Sequence, residues 1–157
     1  AHPRHPLPDP DHPKILAPPN SKLTPLRLAQ IPYVIQSVLT GNTRASAEIK
    51  LRAFGLGARL DLDAGAYGND HSNRAVLVGI ARARAAQRYG RGFDPGRTVL
   101  IGDTPNDVAA AHRGGARVIA VATGRSTVAD LHRAGADHLL PDLSDTAALV
   151  AAVLGRL

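Results

Sequence analysis

Two carboxylates, Asp103 and Asp107, lie four residues apart where an apolar run ends on a glycine, in the stretch IGDTPNDV. Helix capping explains Asp107, because Thr104 suits the N-cap, Pro105 suits the first helical position, and an acid three residues after the N-cap completes a capping box. Capping does not explain Asp103, since a carboxylate at a strand tip is costly without a partner. Two such acids also suit Mg²⁺, which takes oxygen ligands. On spacing alone, capping and a metal site explain the pair about equally.

A second polar turn follows an earlier apolar run, in the stretch SVLTGNTRAS. Thr40 ends the run, and Gly41 and Asn42 let backbone N–H groups turn towards a cleft, which is typical of a phosphate-binding loop. Taken by itself, the stretch is more simply a turn from a strand into a helix, with Thr43 or Ser46 near the N-cap. Both interpretations are open at this point.

The elements that position these residues are apolar runs alternating with helical patterns. Strands are predicted near residues 34–40, 98–103 and 117–122, with shorter strands at 58–65 and 137–141. Helices are predicted at 44–55, 73–90, 105–115, 127–135 and 145–157. This alternation predicts an α/β fold, a Rossmann-like three-layer sandwich with a mainly parallel sheet. Ligands of such folds bind at the carboxyl ends of the strands, where both polar stretches fall.

Composition limits the domain organisation and the partners that the chain can be expected to have. Nine of the twelve prolines lie in residues 1–32, so this segment is predicted to be an extended arm before a core of residues 33–157. The chain has no cysteine and no apolar stretch near the ~20 residues of a membrane span, which predicts a cytoplasmic protein without a membrane partner. The net charge of +6 comes from scattered arginines with few aromatic residues, so nucleic-acid binding is not predicted.

Together the two polar stretches resemble motifs of the haloacid dehalogenase-like (HAD) hydrolase superfamily, in its phosphoglycolate-phosphatase-like branch. VLTGN looks like the second motif of this family, whose Thr or Ser binds the transferring phosphoryl group. By that match the residue is Thr40, and the amides near Gly41 and Asn42 are predicted to bind the phosphate beside it. IGDTPNDV looks like the fourth motif, which carries Mg²⁺ on Asp103 and Asp107.

The resemblance also predicts a third motif and shows one departure. The third motif requires a Lys or Arg between the other two to neutralise the phosphoryl group. Arg74 in NDHSNRAVLV matches it and is predicted to bind phosphate, although a solvated charge in the first turn of a helix explains Arg74 as well. The first motif, which supplies the nucleophilic Asp and the acid/base Asp, has no match before Val34. Asp61-Leu62-Asp63 follows the second motif and is interpreted as the polar end of an edge strand. The cap domain usual in this branch also has no counterpart.

The resemblance therefore implies a Mg²⁺-dependent phosphohydrolase that acts on a small phosphomonoester through an aspartyl-phosphate, with Thr40, Arg74 and Asp103 as catalytic residues. Because the first strand is missing, the chain is expected to be truncated and inactive. The alternatives are a non-catalytic phosphate- and Mg²⁺-binding or regulatory module and a receiver-like signalling domain. The missing strand should leave a gap between the strands ending at Thr40 and Asp103. Residues 14–17 (KILA), or a partner chain such as a second copy, are expected to fill it.

Overall fold

Parallel strands alternate with helices along the chain. The computed structural model describes residues 33–155, the strand at residues 14–17, and Leu28, Gln30 and Ile31. The strands are β1 (Lys14–Ala17), β2 (Gln36–Val38), β3 (Thr98–Gly102), β4 (Arg117–Val121) and β5 (His138–Leu140). The helices within residues 33–155 are α1 (Arg44–Ala53), α2 (Arg74–Tyr89), α3 (Pro105–Gly114), α4 (Val128–Arg133) and α5 (Thr146–Leu154).

The strands form one sheet in the order β2-β1-β3-β4-β5, and every pair in it is parallel. The sequence order reverses direction at the centre of the sheet, because the chain places β2 on one side of β1 and β3 to β5 on the other. All carboxyl ends consequently lie at one edge of the sheet. The predicted α/β fold class is confirmed.

The centre of the sheet is occupied by β1. Leu16 pairs with Ser37 of β2 on one side and with Leu100 of β3 on the other. The prediction that the KILA segment fills the space between β2 and β3 is therefore confirmed. The residues that follow Ala17 in the sequence are Pro-Pro-Asn-Ser, and none of them is a carboxylate. The division of the chain at residue 32 stays a prediction. One strand of the first segment, β1, nevertheless joins the sheet of the second segment.

Alternating side chains of the central strands pack on opposite faces of the sheet. Val99 and Ile101 belong to a buried cluster with Leu149 and Val153 of α5 and with Leu28. Leu100 belongs to a separate cluster with residues of α2 and α3, among them Leu77, Val78, Val108 and Ala111. Each fully buried Leu or Val contributes about 1.5–3 kcal/mol relative to exposure. The layers on both faces explain the nearly continuous apolar runs of β3 and β4.

The strand predicted at residues 58–65 is wrong. The structure places two 3₁₀ turns there, Gly57–Arg59 and Leu62–Ala64. The alternation of Leu and Asp imitates a strand, but the Asp61 carboxylate accepts the backbone N–H groups of Asp63 and Ala64 and so closes a local turn. Over the described ranges, no helix has both the length and the apolar character needed to cross a membrane.

Candidate functional site

The sheet brings the two polar stretches to the same edge. Thr40 follows β2 and is 4% exposed, and Asp103 follows β3 and is half-buried. One strand, β1, separates them, so their backbones lie about 10 Å apart at the usual strand spacing. A phosphoryl group with its attached oxygens fits a span of this size between a hydroxyl and a carboxylate.

The turn after β2 is arranged around the Thr40 hydroxyl. Its Oγ1 accepts the Asn42 backbone N–H at 3.1 Å and the Asn42 side-chain amide at 3.2 Å. With both lone pairs used, the hydroxyl hydrogen is left to donate elsewhere. The predicted N–H donor of Asn42 is used within the turn, whereas the Gly41 N–H has no acceptor among the described residues. Thr40 and Gly41 are thus the donors that this turn can offer to an anion.

The helix start after β3 is a complete capping box. The Thr104 hydroxyl oxygen accepts the Asp107 N–H at 3.1 Å, and Asp107 Oδ2 accepts the Thr104 N–H at 3.2 Å. The same Oδ2 accepts the Thr104 O–H at 2.7 Å and the Asp103 N–H at 3.2 Å. The helix-capping explanation of Asp107 is therefore correct. One acid fixes both the start of α3 and the backbone that carries Asp103.

Arg74 reaches the same acid from α2. Asn73 caps this helix by accepting the Ala75 N–H at 2.9 Å, which leaves Arg74 at the first helical position. The Arg74 guanidinium donates to Asp107 Oδ1 and forms an ion pair with it. The Asp107 side chain is 6% exposed and the Arg74 side chain is 41% exposed. Arg74 is thus ion-paired, with part of its guanidinium still open to an anion.

Asp103 differs from Asp107 in having an uncommitted carboxylate. Among the described residues, no side chain or backbone group donates to it. A Cβ at Gly124 would overlap Asp103 Oδ2, and a Cβ at Gly102 would overlap the Asp107 side chain. The two glycines allow the acids to lie close against the backbone. Packing against Gly124 therefore positions the Asp103 side chain, and its carboxylate oxygens are available to a ligand.

The carboxylate oxygens of Asp103 and Asp107 could supply some, but not all, of the ligands of one Mg²⁺ ion. The described residues contain no group of three or more His, Cys, Asp and Glu side chains that could hold a metal ion. Mg²⁺, however, usually takes one or two carboxylates and completes its octahedron with water and substrate phosphate. Asp103 could supply a free carboxylate oxygen, and Asp107 could supply one that it shares with Arg74. Two protein oxygens match this ion better than they match Zn²⁺, which takes more protein ligands.

Asp61 and Asp63 lie outside this site. The Asp61 N–H donates to the Gln36 carbonyl at 2.8 Å, so Asp61 lies at the start of β2. Thr40 follows the other end of that strand, about 13 Å away at the rise of an extended chain. Asp61 pairs with Arg88 at 2.6 Å, and a hydrogen bond from Arg44 lowers the pKa of Asp63. Asp61 closes the 3₁₀ turn and Asp63 pairs with Arg44, so neither acid lies at the site as a nucleophile.

Sequence reasoning missed the loop of residues 65–70, which packs against the Thr40 turn. The Thr40 N–H donates to the Ala66 carbonyl at 3.1 Å, and the Gly68 N–H donates to the Asn42 carbonyl at 2.8 Å. The two glycines of GAYGND were the only sequence signal, since isolated glycines mark close backbone approach. Nothing in the pattern indicated which earlier turn the loop would approach.

Comparisons with known proteins agree with the motifs. The HAD-hydrolase-like family model matches residues 77–146, a range that includes Asp103 and Asp107 but begins after Thr40 and Arg74. No curated protein sequence matches the chain significantly.

Several solved structures share the fold. A haloacid dehalogenase-like family hydrolase from Streptococcus pneumoniae is 18% identical, with 81% of this chain and 56% of that chain covered and a TM-score of 0.62. A protein described as a predicted phosphoglycolate phosphatase from Haemophilus somnus is 20% identical, with 74% and 50% covered and a TM-score of 0.57. A hydrolase from Pseudomonas syringae is 22% identical, with 75% and 53% covered and a TM-score of 0.60. The chain spans about half the length of each of these proteins.

Proposed function

We propose that this chain, which has the HAD-like fold and matches the HAD-hydrolase-like family over residues 77–146, is the core of a Mg²⁺-dependent phosphohydrolase for a small phosphomonoester. In the family mechanism the reaction passes through an aspartyl-phosphate, and we propose that the chain on its own binds phosphate without turnover. The observation that carries the proposal is the convergence of Thr40, Arg74 and the Asp103–Asp107 pair at the carboxyl edge of one parallel sheet.

The proposed roles follow from the donors that the site leaves open. The Thr40 hydroxyl and the Gly41 N–H donate to phosphoryl oxygens on the β2 side of the site. Arg74, which is partly exposed, contributes a positive charge on the β3 side. Asp103 and Asp107 hold Mg²⁺, which when bound offsets negative charge on the phosphoryl oxygens. These contacts stabilise a phosphoryl group but do not attack it.

The missing group is a carboxylate between Thr40 and Asp103. The central strand, β1, is followed in sequence by Pro-Pro-Asn-Ser, and the Asp61-x-Asp63 pair lies at the other end of β2. A covalent route without its nucleophile retains only binding and electrostatics, and loss of a nucleophile has cost about a million-fold in rate elsewhere. The same observation favours the second candidate, a non-catalytic module that binds phosphate and Mg²⁺.

The experiment measures phosphate release from an aryl phosphate with Mg²⁺. Three proteins are compared: this chain, its Asp103→Asn variant, and a version extended upstream by its coding sequence. We expect no turnover by this chain or by Asp103→Asn, and Mg²⁺ binding by calorimetry in the unaltered chain but not in Asp103→Asn. Turnover by the extended version would require its added residues to displace β1 from the centre of the sheet. Turnover by the chain itself, abolished in Asp103→Asn, would show that a nucleophile is present after all. Mg²⁺ and phosphate binding in the chain, with no activity in the extended version, would favour the non-catalytic module.

A further inference from the structure

In the described part of the chain, the outer edge of β2 is covered by a loop instead of another strand. We call residues 65–70 the clamp loop. Its Ala66 N–H donates to the Val38 carbonyl at 2.9 Å, and the Thr40 N–H donates back to the Ala66 carbonyl at 3.1 Å. Further along the loop, the Gly68 N–H donates to the Asn42 carbonyl at 2.8 Å. The loop therefore continues the hydrogen-bond ladder of β2 into the turn at residues 40–42, where we propose that phosphate binds.

Close approach between loop and turn depends on glycine. A Cβ at Gly68 would overlap the Gly41 carbonyl oxygen, and a Cβ at Gly65 would lie 2.9 Å from the Val38 carbonyl oxygen. At Gly68 the loop backbone packs directly on the Gly41 backbone, whereas at Gly65 the Tyr67 hydroxyl lies beside the Val38 carbonyl oxygen. A displacement of the clamp loop must consequently displace Gly41 as well.

One guanidinium ties the two ends of the clamp loop together. Arg84, on α2, donates from Nη1 and Nη2 to the two carboxylate oxygens of Asp70, each at 2.7 Å. Its Nη1 also donates to the Gly65 carbonyl at 2.7 Å. Asp70 Oδ2 in turn accepts the Tyr67 N–H at 2.9 Å. Residues 65, 67 and 70 are thus fixed to a helix that is itself packed on the sheet. The two parallel hydrogen bonds between Arg84 and Asp70 fix the orientation of the Asp70 side chain as well as its distance from α2.

We propose that Arg84 and Asp70 are positioning residues that hold the phosphate-binding turn in place through the clamp loop. Among the described residues, no hydrogen bond or ion pair joins Arg84 or Asp70 to Thr40, Arg74 or Asp103. They act through the contacts from Ala66 to Thr40 and from Gly68 to Asn42. This role rests on the proposed function, because it concerns the geometry of the same phosphate-binding turn.

The charge state of the pair agrees with this role. The hydrogen bonds from Arg84 lower the pKa of Asp70, and those to Asp70 raise the pKa of Arg84. Both groups are therefore charged throughout the neutral range. The Asp70 side chain is 17% exposed, so solvent competes little for its oxygens.

The test compares Arg84→Gln, Arg84→Lys and Asp70→Asn with the control Arg88→Gln. Arg88 lies one helical turn further along α2 and also forms an ion pair, but with Asp61 and outside the clamp loop. Two quantities are measured: the affinity for inorganic phosphate in the presence of Mg²⁺, by calorimetry, and amide hydrogen exchange of Thr40 and Gly68 without ligand, by NMR. Mg²⁺ affinity without phosphate is the internal reference.

We expect Arg84→Gln to weaken phosphate binding about tenfold, to speed exchange at Thr40 and Gly68, and to leave Mg²⁺ affinity unchanged. Arg84→Lys should recover part of the loss, since the lysine ammonium keeps the positive charge but cannot donate two parallel hydrogen bonds as the planar guanidinium does. Asp70→Asn, which keeps the shape of the side chain, should show the same losses as Arg84→Gln. It provides the test if Arg84→Gln folds poorly. The control should match the unaltered chain.

Two outcomes separate the two proposals. Normal phosphate affinity in both Arg84→Gln and Asp70→Asn, or an equal loss in Arg88→Gln, overturns the positioning role and leaves the proposed function standing. Failure of the unaltered chain to bind phosphate overturns the proposed function and, with it, the positioning role.

Discussion

Replacement of Asp103 and of Asp107 by alanine, one at a time, should show which of the two acids stabilises the fold. Asp107 is 4% exposed, completes the α3 capping box, accepts the N–H groups of Asp103 and Thr104, and pairs with Arg74. Asp103 is half-buried and accepts no hydrogen bond from the described residues. Asp107→Ala should therefore destabilise the fold without Mg²⁺, whereas Asp103→Ala should not.

The magnitude follows from what Asp107→Ala removes. The interaction of a first-turn acid with the helix dipole contributes about 0.3–1 kcal/mol. The two backbone N–H groups left without an acceptor cost about 1–2 kcal/mol together. The ion pair adds no more than about 1 kcal/mol, because Arg74 is 41% exposed and its charge stays solvated. The total is about 3 kcal/mol, which lowers Tm by roughly 6–12 °C for a chain of this size. Asp103→Ala should stay within about 0.5 kcal/mol of the unaltered chain.

The assay is thermal unfolding followed by circular dichroism in the presence of a chelator. Asp130→Ala is the matched control, because Thr127 and Asp130 form the same capping box at the start of α4 with an exposed acid paired to Arg133. Its Tm should fall clearly less than that of Asp107→Ala. Equal losses in these two variants would refute the argument from burial. A large loss in Asp103→Ala would refute the conclusion that the fold does not depend on its carboxylate.

Three further results are expected. Gly79→Ala should raise the free energy of unfolding by about 0.5–1 kcal/mol in denaturant titration, since a Cβ there meets nothing within 4 Å and Ala favours a helix interior. Gly68→Ala should lower both Tm and phosphate affinity, because its Cβ overlaps the Gly41 carbonyl oxygen, and preserved affinity would contradict the packing of loop on turn. The pKa of Asp70 is lowered in the folded chain, so its stabilising contribution is present above the ordinary Asp pKa and is lost as pH falls through the folded value. Acid titration of Tm should accordingly be flatter in Arg84→Gln than in the unaltered chain.

The elements that sequence reasoning predicted correctly carry their signals locally. Thr104 and Pro105 mark the start of α3, and a glycine at a positive φ, Gly115, marks its end. The apolar runs of β3 and β4 are continuous because helices cover both faces of the sheet. Such signals depend on a few adjacent residues, which is why the fold class followed from the sequence.

The features that sequence reasoning missed depend on contacts between distant residues. The segment at 58–65 alternates like a strand, yet Asp61 closes a turn with its own neighbours. Arg84 is one of several arginines on α2, and its spacing does not distinguish it from Arg82 or Arg88. Only the fold shows that Arg84 meets Asp70, fourteen residues earlier. Pairings of this kind have no period for a sequence pattern to reveal.

The two acids of the stretch IGDTPNDV differ in how far the fold explains them. Capping, ion pairing and burial together account for Asp107, so its presence would be expected in this fold even without a ligand. None of these accounts for Asp103, whose carboxylate is half-buried, backed by Gly124 and given no donor by the described residues. A half-buried carboxylate that accepts no hydrogen bond within the described residues adds little to the stability of the fold, and a ligand outside the chain would explain its presence. Asp103 is consequently the residue on which the proposed Mg²⁺ site depends most, and the one whose replacement should affect ligand binding without affecting the fold.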